Sequence, residues 1–294
     1  MRGVERKIVR RDADQFFAGF GQRGLGAGSQ ESLDGLAKFG HGAVKSIREF
    51  PRRERQEGSR LRPALTYYRL ISSSLGLREK LQRVEARICD AAARAGRARS
   101  EITLLAVTKK FPAAVIRDAY DLGLREFGEN YVQEFETKRA ELAGCEGARY
   151  HLIGHLQSNK AKKAAEIFGV IQTVDTPKLA QRLEQEQRPL DVMIEVKLST
   201  EEAKAGADPA DLPRLIESIR ACPHLRLLGL MTMPPWSDDA EPSRPYFARL
   251  RELAAEHRLP QLSMGMSHDL EVAIEEGSTM VRVGTALFGP RRKD

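Results

Sequence analysis

From about Leu75 onward the chain alternates between two kinds of apolar pattern, and no other feature constrains its fold as much. Short runs rich in aliphatic residues occur at 102–109 (ITLLAVTK), 125–129, 149–154, 170–174, 191–198, 225–232, 261–266 and 279–283. Stretches with helical spacing separate them, at 112–121, 131–142, 158–167, 177–187, 209–221, 245–257 and 269–276. A further helix precedes the first strand. Leu77, Leu81, Val84, Ile88 and Ala92 share one face of 77–95, and Gly96 stands where a stop belongs. Strands that alternate with helices lie parallel, because each crossover returns the chain to the same end of the sheet. Eight such units in about 220 residues fit a closed (β/α)8 barrel, with 77–95 beside the last strand in place of an eighth helix. The rival is an open doubly wound sheet. The first strand–helix turn reads KKFP rather than GxGxxG, so the dinucleotide-binding form of that rival has no support.

The segment 1–75 differs. It holds "GFGQRGLGAGSQ" and "REFPRRERQEGSRLRP" and shows no sustained apolar periodicity, so it reads as a disordered or weakly ordered extension, with the barrel spanning 76–294. It also carries the whole net charge of +7, with 15 Lys and Arg against 8 Asp and Glu, while the remainder holds 33 of each. The barrel therefore has no bulk attraction for polyanions, and nucleic-acid association is an alternative confined to this basic arm. A targeting peptide fits the arginine content, but Glu5, Asp12 and Asp14 come early and no secretory apolar core is present. The plain alternative is an extension without function, or a stretch ahead of a later non-AUG start. No apolar run approaches the ~18 residues of a membrane span, so no membrane role is expected. Cys89, Cys145 and Cys222 are scattered and odd in number, which points to free thiols in a reducing, cytoplasmic setting.

A barrel places its chemistry at the C-terminal ends of its strands. Those ends read Lys109/Lys110, Glu129–Asn130, Gly154–His155, Asp175, Ser199–Thr200, Thr232–Met233, Met266–Ser267 and Gly284–Thr285. The ends of strands 7 and 8, "SMGMS" and "RVGTALFG", combine Gly, Ser and Thr where barrels bind phosphate through backbone N–H groups. Ser267 is also placed to cap the helix at 269–276. A lysine at the end of strand 1, facing a phosphate site, suggests Schiff-base chemistry. Alternation puts Leu105, Val107 and Lys109 on one face and Leu104, Ala106, Thr108 and Lys110 on the other. Both faces are apolar, so the pattern leaves open which lysine faces the barrel interior.

"LLAVTK", "FGENYVQE", "HLIGHLQSNK", "LMTMPP", "LSMGMS" and "AIEEGSTMVRVGTALFG" together resemble the YggS/PROSC family, the pyridoxal-phosphate homeostasis proteins. The resemblance spans about 76–290 and leaves out the basic extension. It implies a single TIM-like barrel similar to the N-terminal domain of alanine racemase, holding pyridoxal 5'-phosphate (PLP) as a lysine aldimine. The family's lysine follows Val-Ser/Thr and matches Lys109. The Arg-x-Gly-Thr block matches Arg282, which in related barrels faces the pyridine nitrogen, and Gly284 and Thr285, whose N–H groups face the phosphate. Ser267 matches a phosphate-donating serine, and Asn130 and His155 match residues lining the pocket. An arginine cannot give a proton to the ring nitrogen, so the ring is a weak electron sink. The racemases also take a second base, a tyrosine, from an extra β domain, and this chain ends at Asp294. The resemblance thus implies a PLP carrier or regulator in vitamin B6 and amino-acid homeostasis, without efficient turnover. It is expected to be a monomer and to have PLP-dependent apoenzymes as partners; the enzymatic alternative is a PLP-dependent racemase. One departure is His268 in GMSHD, where the family has an acid. Its titration near the phosphate would make PLP occupancy depend on pH.

Overall fold

The computed structural model describes residues 61–199 and 205–290. Eight strands follow one another in chain order: β1 (Thr103–Val107), β2 (Glu126–Glu129), β3 (Arg149–Leu152), β4 (Val170–Val174), β5 (Leu190–Glu195), β6 (Leu225–Met231), β7 (Gln261–Met266) and β8 (Met280–Val283). All neighbours pair in parallel, and β8 closes on β1 through Thr103↔Met280 to Ala106↔Val283. The expected barrel is the observed one. Its strands stop one to three residues short of several expected ends, because the last residues of each run turn away to build the mouth.

The helices are α1 (Leu61–Arg94), α2 (Ala113–Asp121), α3 (Val132–Arg139), α4 (Ala161–Ile167), α5 (Pro177–Glu184), α6 (Leu212–Arg220), α7 (Arg244–Glu256), α8 (Leu270–Glu275) and the single turn α9 (Thr285–Phe288). Single 3-10 turns at 140–142, 158–160 and 209–211 account for the longer helical stretches expected there. Sequence punctuation works locally. Thr176 caps α5 by accepting the Leu179 N–H at 3.3 Å, with Pro177 at the first helical position.

Helix α1 begins at Leu61, sixteen residues before Leu77, where apolar periodicity first marks it. Residues 61–75, assigned to the extension on sequence grounds, are therefore helical; the rest of that extension lies outside the described residues. Its stripe Leu77, Val84, Ile88 and Ala92 is buried, and Gly96 ends it at φ 66°. Arg87 grips Glu271 of α8 with two bonds of 2.6 and 2.8 Å, and Arg97 donates to the carbonyls of Ile274 and Ser278 at 3.1 and 2.7 Å. The helix thus occupies the eighth outer place, between α8 and the start of β1.

Two cores result. Outside the barrel, strand faces such as Leu104 and Ala106 pack against helices in one continuous layer. Inside the lumen, Leu105 and Val107 meet Ile153 and Met280, while Val170, Met193 and Leu228 form a second group. The remaining lumen positions are polar, and they lead into the site.

Candidate functional site

Lys109 lies two residues beyond Val107 and continues its lumen-facing register. It is half-buried and lines a cavity of about 490 Å3 at the C-terminal mouth, whereas Lys110 is exposed. Lys110 has φ 65°, a left-handed turn that redirects the chain into α2. That turn is anchored from below. The Lys110 N–H donates to Glu134 Oε1 at 2.5 Å, and Lys138 Nζ lies 2.6 Å from the same oxygen. Lys138 Nζ also donates to the Thr108 carbonyl at 3.0 Å and to both Glu129 oxygens at 3.0 and 3.1 Å, while Thr108 Oγ1 donates to Glu129 at 2.7 Å. Glu129 and Lys138 are both buried. Burial raises the Glu129 carboxyl above its ordinary value, with Lys138 and Thr108 pulling the other way.

The facing wall comes from β7 and β8. Arg282 is 3 % exposed; its Nη1 donates to the Ser263 carbonyl (2.6 Å) and hydroxyl (2.9 Å), and its Nη2 to the Thr232 carbonyl (2.9 Å). Burial pushes its pKa down to about 10, against Asp269 and Glu195, so it stays a cation at neutral pH. Ser267, Gly284, Thr285 and Ala286 line the same cavity. Ser267 does not cap α8, as the sequence suggested. Asp269 holds the N-cap position and accepts the Met266 N–H at 2.7 Å, while the Ser267 hydroxyl accepts the Ala286 N–H at 3.2 Å. The positive φ of Gly265 (88°), at an irregularity within β7, turns Ser267 away from its own helix and towards the end of β8. Asn130 also lines the cavity, and its buried Oδ1 has no hydrogen-bond partner. Gly154 passes directly beneath it; a Cβ there would sit 2.4 Å from the Asn130 carbonyl oxygen.

Six of the seven expected residues thus meet in one cavity: Lys109, Asn130, Ser267, Arg282, Gly284 and Thr285. His155 does not line it. It borders a neighbouring cavity of about 910 Å3 that shares Met233, Trp236 and Met266 as a common wall. Its side chain is 55 % exposed, with Nδ1 3.6 Å from Asp175 Oδ2. Burial raises the Asp175 carboxyl, and His155 opposes that rise.

His268, which the sequence reading places near the phosphate, lines the first cavity and packs its ring 5.2 Å from Trp236. Other neighbours escaped that reading. Glu195, the last residue of β5, lines the second; it is buried, its Oε2 has no partner, and burial pushes its pKa up to about 7. The acid ending an otherwise apolar run (LDVMIE) was the available signal for Glu195. Met233 and Met266 stand at strand ends the sequence reading gave, whereas nothing local in the sequence marks Trp236 as part of the same wall.

The donor set is specific. One amine, one buried guanidinium, two hydroxyl-bearing side chains and the amides of a helical turn face a single small cavity. They suit a ligand carrying a carbonyl, an aromatic nitrogen and a phosphate. A metal is not what this set suggests, and no group of three or more His, Cys, Asp or Glu among the described residues could hold one.

Comparison with known proteins agrees with that geometry. The family model for the alanine racemase N-terminal domain matches residues 80–292. The pyridoxal phosphate homeostasis protein of Pseudomonas aeruginosa is 49% identical over 220 residues, covering 72% of this chain and 95% of its own. That of Aquifex aeolicus is 44% identical over 224 residues, covering 73% and 98%. Among solved structures, PipY of Synechococcus elongatus with PLP bound matches at TM-score 0.63 and 41% identity, over 72% of this chain and all of that one. An alanine racemase of Clostridium difficile matches at TM-score 0.59 over 74% of this chain and 58% of its own; at 14% identity it shows a shared fold alone. The chain belongs to the alanine racemase N-terminal-domain family and, within it, to the pyridoxal phosphate homeostasis proteins.

Proposed function

We propose that this protein binds PLP in the 490 Å3 cavity and serves intracellular PLP and amino-acid homeostasis without efficient turnover. The observation that carries the reading is the convergence, in one cavity, of a lumen-facing lysine and a buried arginine held by three hydrogen bonds. PLP supplies an aldehyde that can link covalently to an amine, here the Lys109 Nζ. Arg282 faces the ring nitrogen, and because it only donates, it leaves that nitrogen without a proton. Ser267 and the backbone of Gly284 and Thr285 take the phosphate, next to the Ala286 N–H that Ser267 already holds. Asn130 lines the same pocket around the ring. His155 serves at the edge, from the neighbouring cavity.

Weak turnover follows from the same residues. Among the described residues lining the cavity, the titratable groups are Lys109, His268 and Arg282. A racemase needs proton transfer on both faces of its substrate and a ring able to delocalise charge. Among the described residues, neither a carboxylate nor a tyrosine lines the cavity. We take the protein to be a cytoplasmic monomer whose partners are PLP itself and apoenzymes that receive it; no described helix is long and apolar enough to cross a membrane.

The test is a visible absorption spectrum of purified protein before and after borohydride, followed by mass spectrometry of the trapped peptide. Lys109→Ala is expected to abolish the trapped adduct and Lys110→Ala to leave it intact. A protein with no PLP adduct at any lysine would overturn the reading. Sustained loss of an α-deuterium from alanine would favour the racemase alternative.

A further inference from the structure

A column of polar side chains runs through the barrel lumen beneath Arg282. Arg282 Nη1 donates to Ser263 Oγ at 2.9 Å, and Ser263 Oγ donates to Gln172 Oε1 at 2.6 Å. Gln172 Nε2 lies 2.8 Å from His151 Nδ1, and His151 Nε2 lies 2.5 Å from Glu126 Oε2. His151, Gln172 and Ser263 are wholly buried. Glu126 opens β2, so the column links the N-terminal end of the barrel to the cavity at the other end. Barrel packing does not require it, since Leu105, Met193, Leu228 and Met280 fill comparable lumen positions with apolar side chains.

The sense of the hydrogen bonds is set from both ends. Arg282 can only donate, and an ionised Glu126 can only accept. Ser263 has one hydroxyl hydrogen; because its oxygen receives Arg282, that hydrogen goes to Gln172 Oε1. The Gln172 amide then turns its N–H groups towards His151 Nδ1 and, at 3.1 Å, the Met280 sulfur. His151 must accept at Nδ1 and carry its proton on Nε2, where Glu126 takes it. Burial favours the neutral imidazole that this requires. With the proton on Nδ1 instead, Gln172 would have to turn over, its N–H2 would face Ser263, and the Ser263 hydrogen would lose its acceptor. A buried polar group left without a partner is costly, so the column has one stable sense.

We propose that this column is a positioning device for the cofactor site: Glu126 fixes the Nε2–H tautomer of His151, and His151, Gln172 and Ser263 hold the Arg282 guanidinium in one orientation. The proposal rests on the reading of Arg282 as the group facing the PLP ring. His151 and Gln172 are then positioning residues that touch no ligand.

The first experiment needs no PLP. Nitrogen-15 NMR of the six histidines, with His151 assigned from its absence in His151→Gln, is expected to show neutral His151 protonated on Nε2 and bare at Nδ1. An Nδ1–H tautomer or an imidazolium at neutral pH would overturn the proposal. In Gln172→Glu a carboxylate cannot donate to Nδ1, so His151 is expected to take up a proton there; an unchanged tautomer would overturn the coupling. The second experiment measures PLP dissociation and the visible band. Gln172→Leu is expected to weaken PLP binding by about tenfold and move the band. His151→Gln, which offers an acceptor to Gln172 and a donor to Glu126, is expected to stay within about threefold of the wild type. Unchanged affinity and spectrum in Gln172→Leu would overturn the positioning role. If Gln172→Leu does not fold, the contrast between His151→Gln and His151→Leu decides in its place. A wild type that loads no PLP, with the expected tautomer present, would overturn the cofactor reading and with it the role given to the column; the wrong tautomer in a PLP-loaded protein would overturn the column alone.

Discussion

Two buried glutamates end strands three places apart in the same barrel, and they live under opposite conditions. Glu129, at the end of β2, receives Lys138 on both oxygens and Thr108 on one. Glu195, at the end of β5, has an oxygen with no partner at all. Burial raises both carboxyls, but only Glu195 is pushed to about 7. The first is the keystone of the turn that carries Lys109. The second is a carboxyl in a cavity wall, at the edge of ionisation near neutral pH. A buried charge that is fully partnered builds structure, and one left short of partners sits where a site opens.

Removing one member of the partnered cluster tests this most strongly. Lys138→Met should strand Glu129 in the interior and cost about 3–5 kcal/mol, read as a fall in the denaturant midpoint. A loss below about 1 kcal/mol would mean that the Lys109 turn stands without its ion pair. Changing the orphan should act in the other direction. A raised carboxyl adds nothing unfavourable below its unfolded value of 4.5, costs stability as pH rises through 4.5 towards about 7, and keeps that cost above. Glu195→Gln is therefore expected to be neutral near pH 4 and stabilising by on the order of 3 kcal/mol at pH 8, measured by paired melts at the two pH values. Equal melting shifts at both would show that Glu195 has found a counter-charge. The smallest effect concerns the turn itself. Lys110→Gly relieves a left-handed lysine and should stabilise by no more than about 1 kcal/mol without altering Lys109 trapping.

The contrast also separates what could be read in one dimension from what could not. The barrel was legible because parallel strands buried on both faces and amphipathic helices leave strong, separate periodicities, as in TLLAV and the Leu77-to-Ala92 stripe. The start of α1 at Leu61 was not, since 61–75 carries no such stripe. Lys109, Ser267 and Arg282 could be named from motifs. The role of Ser267 as a cap was misread, because which N–H its hydroxyl meets depends on the β7 irregularity at Gly265 and on β8 lying beside β7.

The sequence by itself determined the order of eight strand–helix units, the placing of excess charge in 1–75 and the residue types at each strand end. Tertiary structure alone decided that His155 stands in the neighbouring cavity, that Glu195 is stranded while Glu129 is satisfied, and that His151, Gln172, Ser263 and Arg282 form one column. The physical reason is range. Periodicity reports which face of an element is apolar, over a few residues of chain. Hydrogen-bond partners in this column come from strands up to 91 residues apart, from Gln172 on β4 to Ser263 on β7, and their identity is set by register and closure.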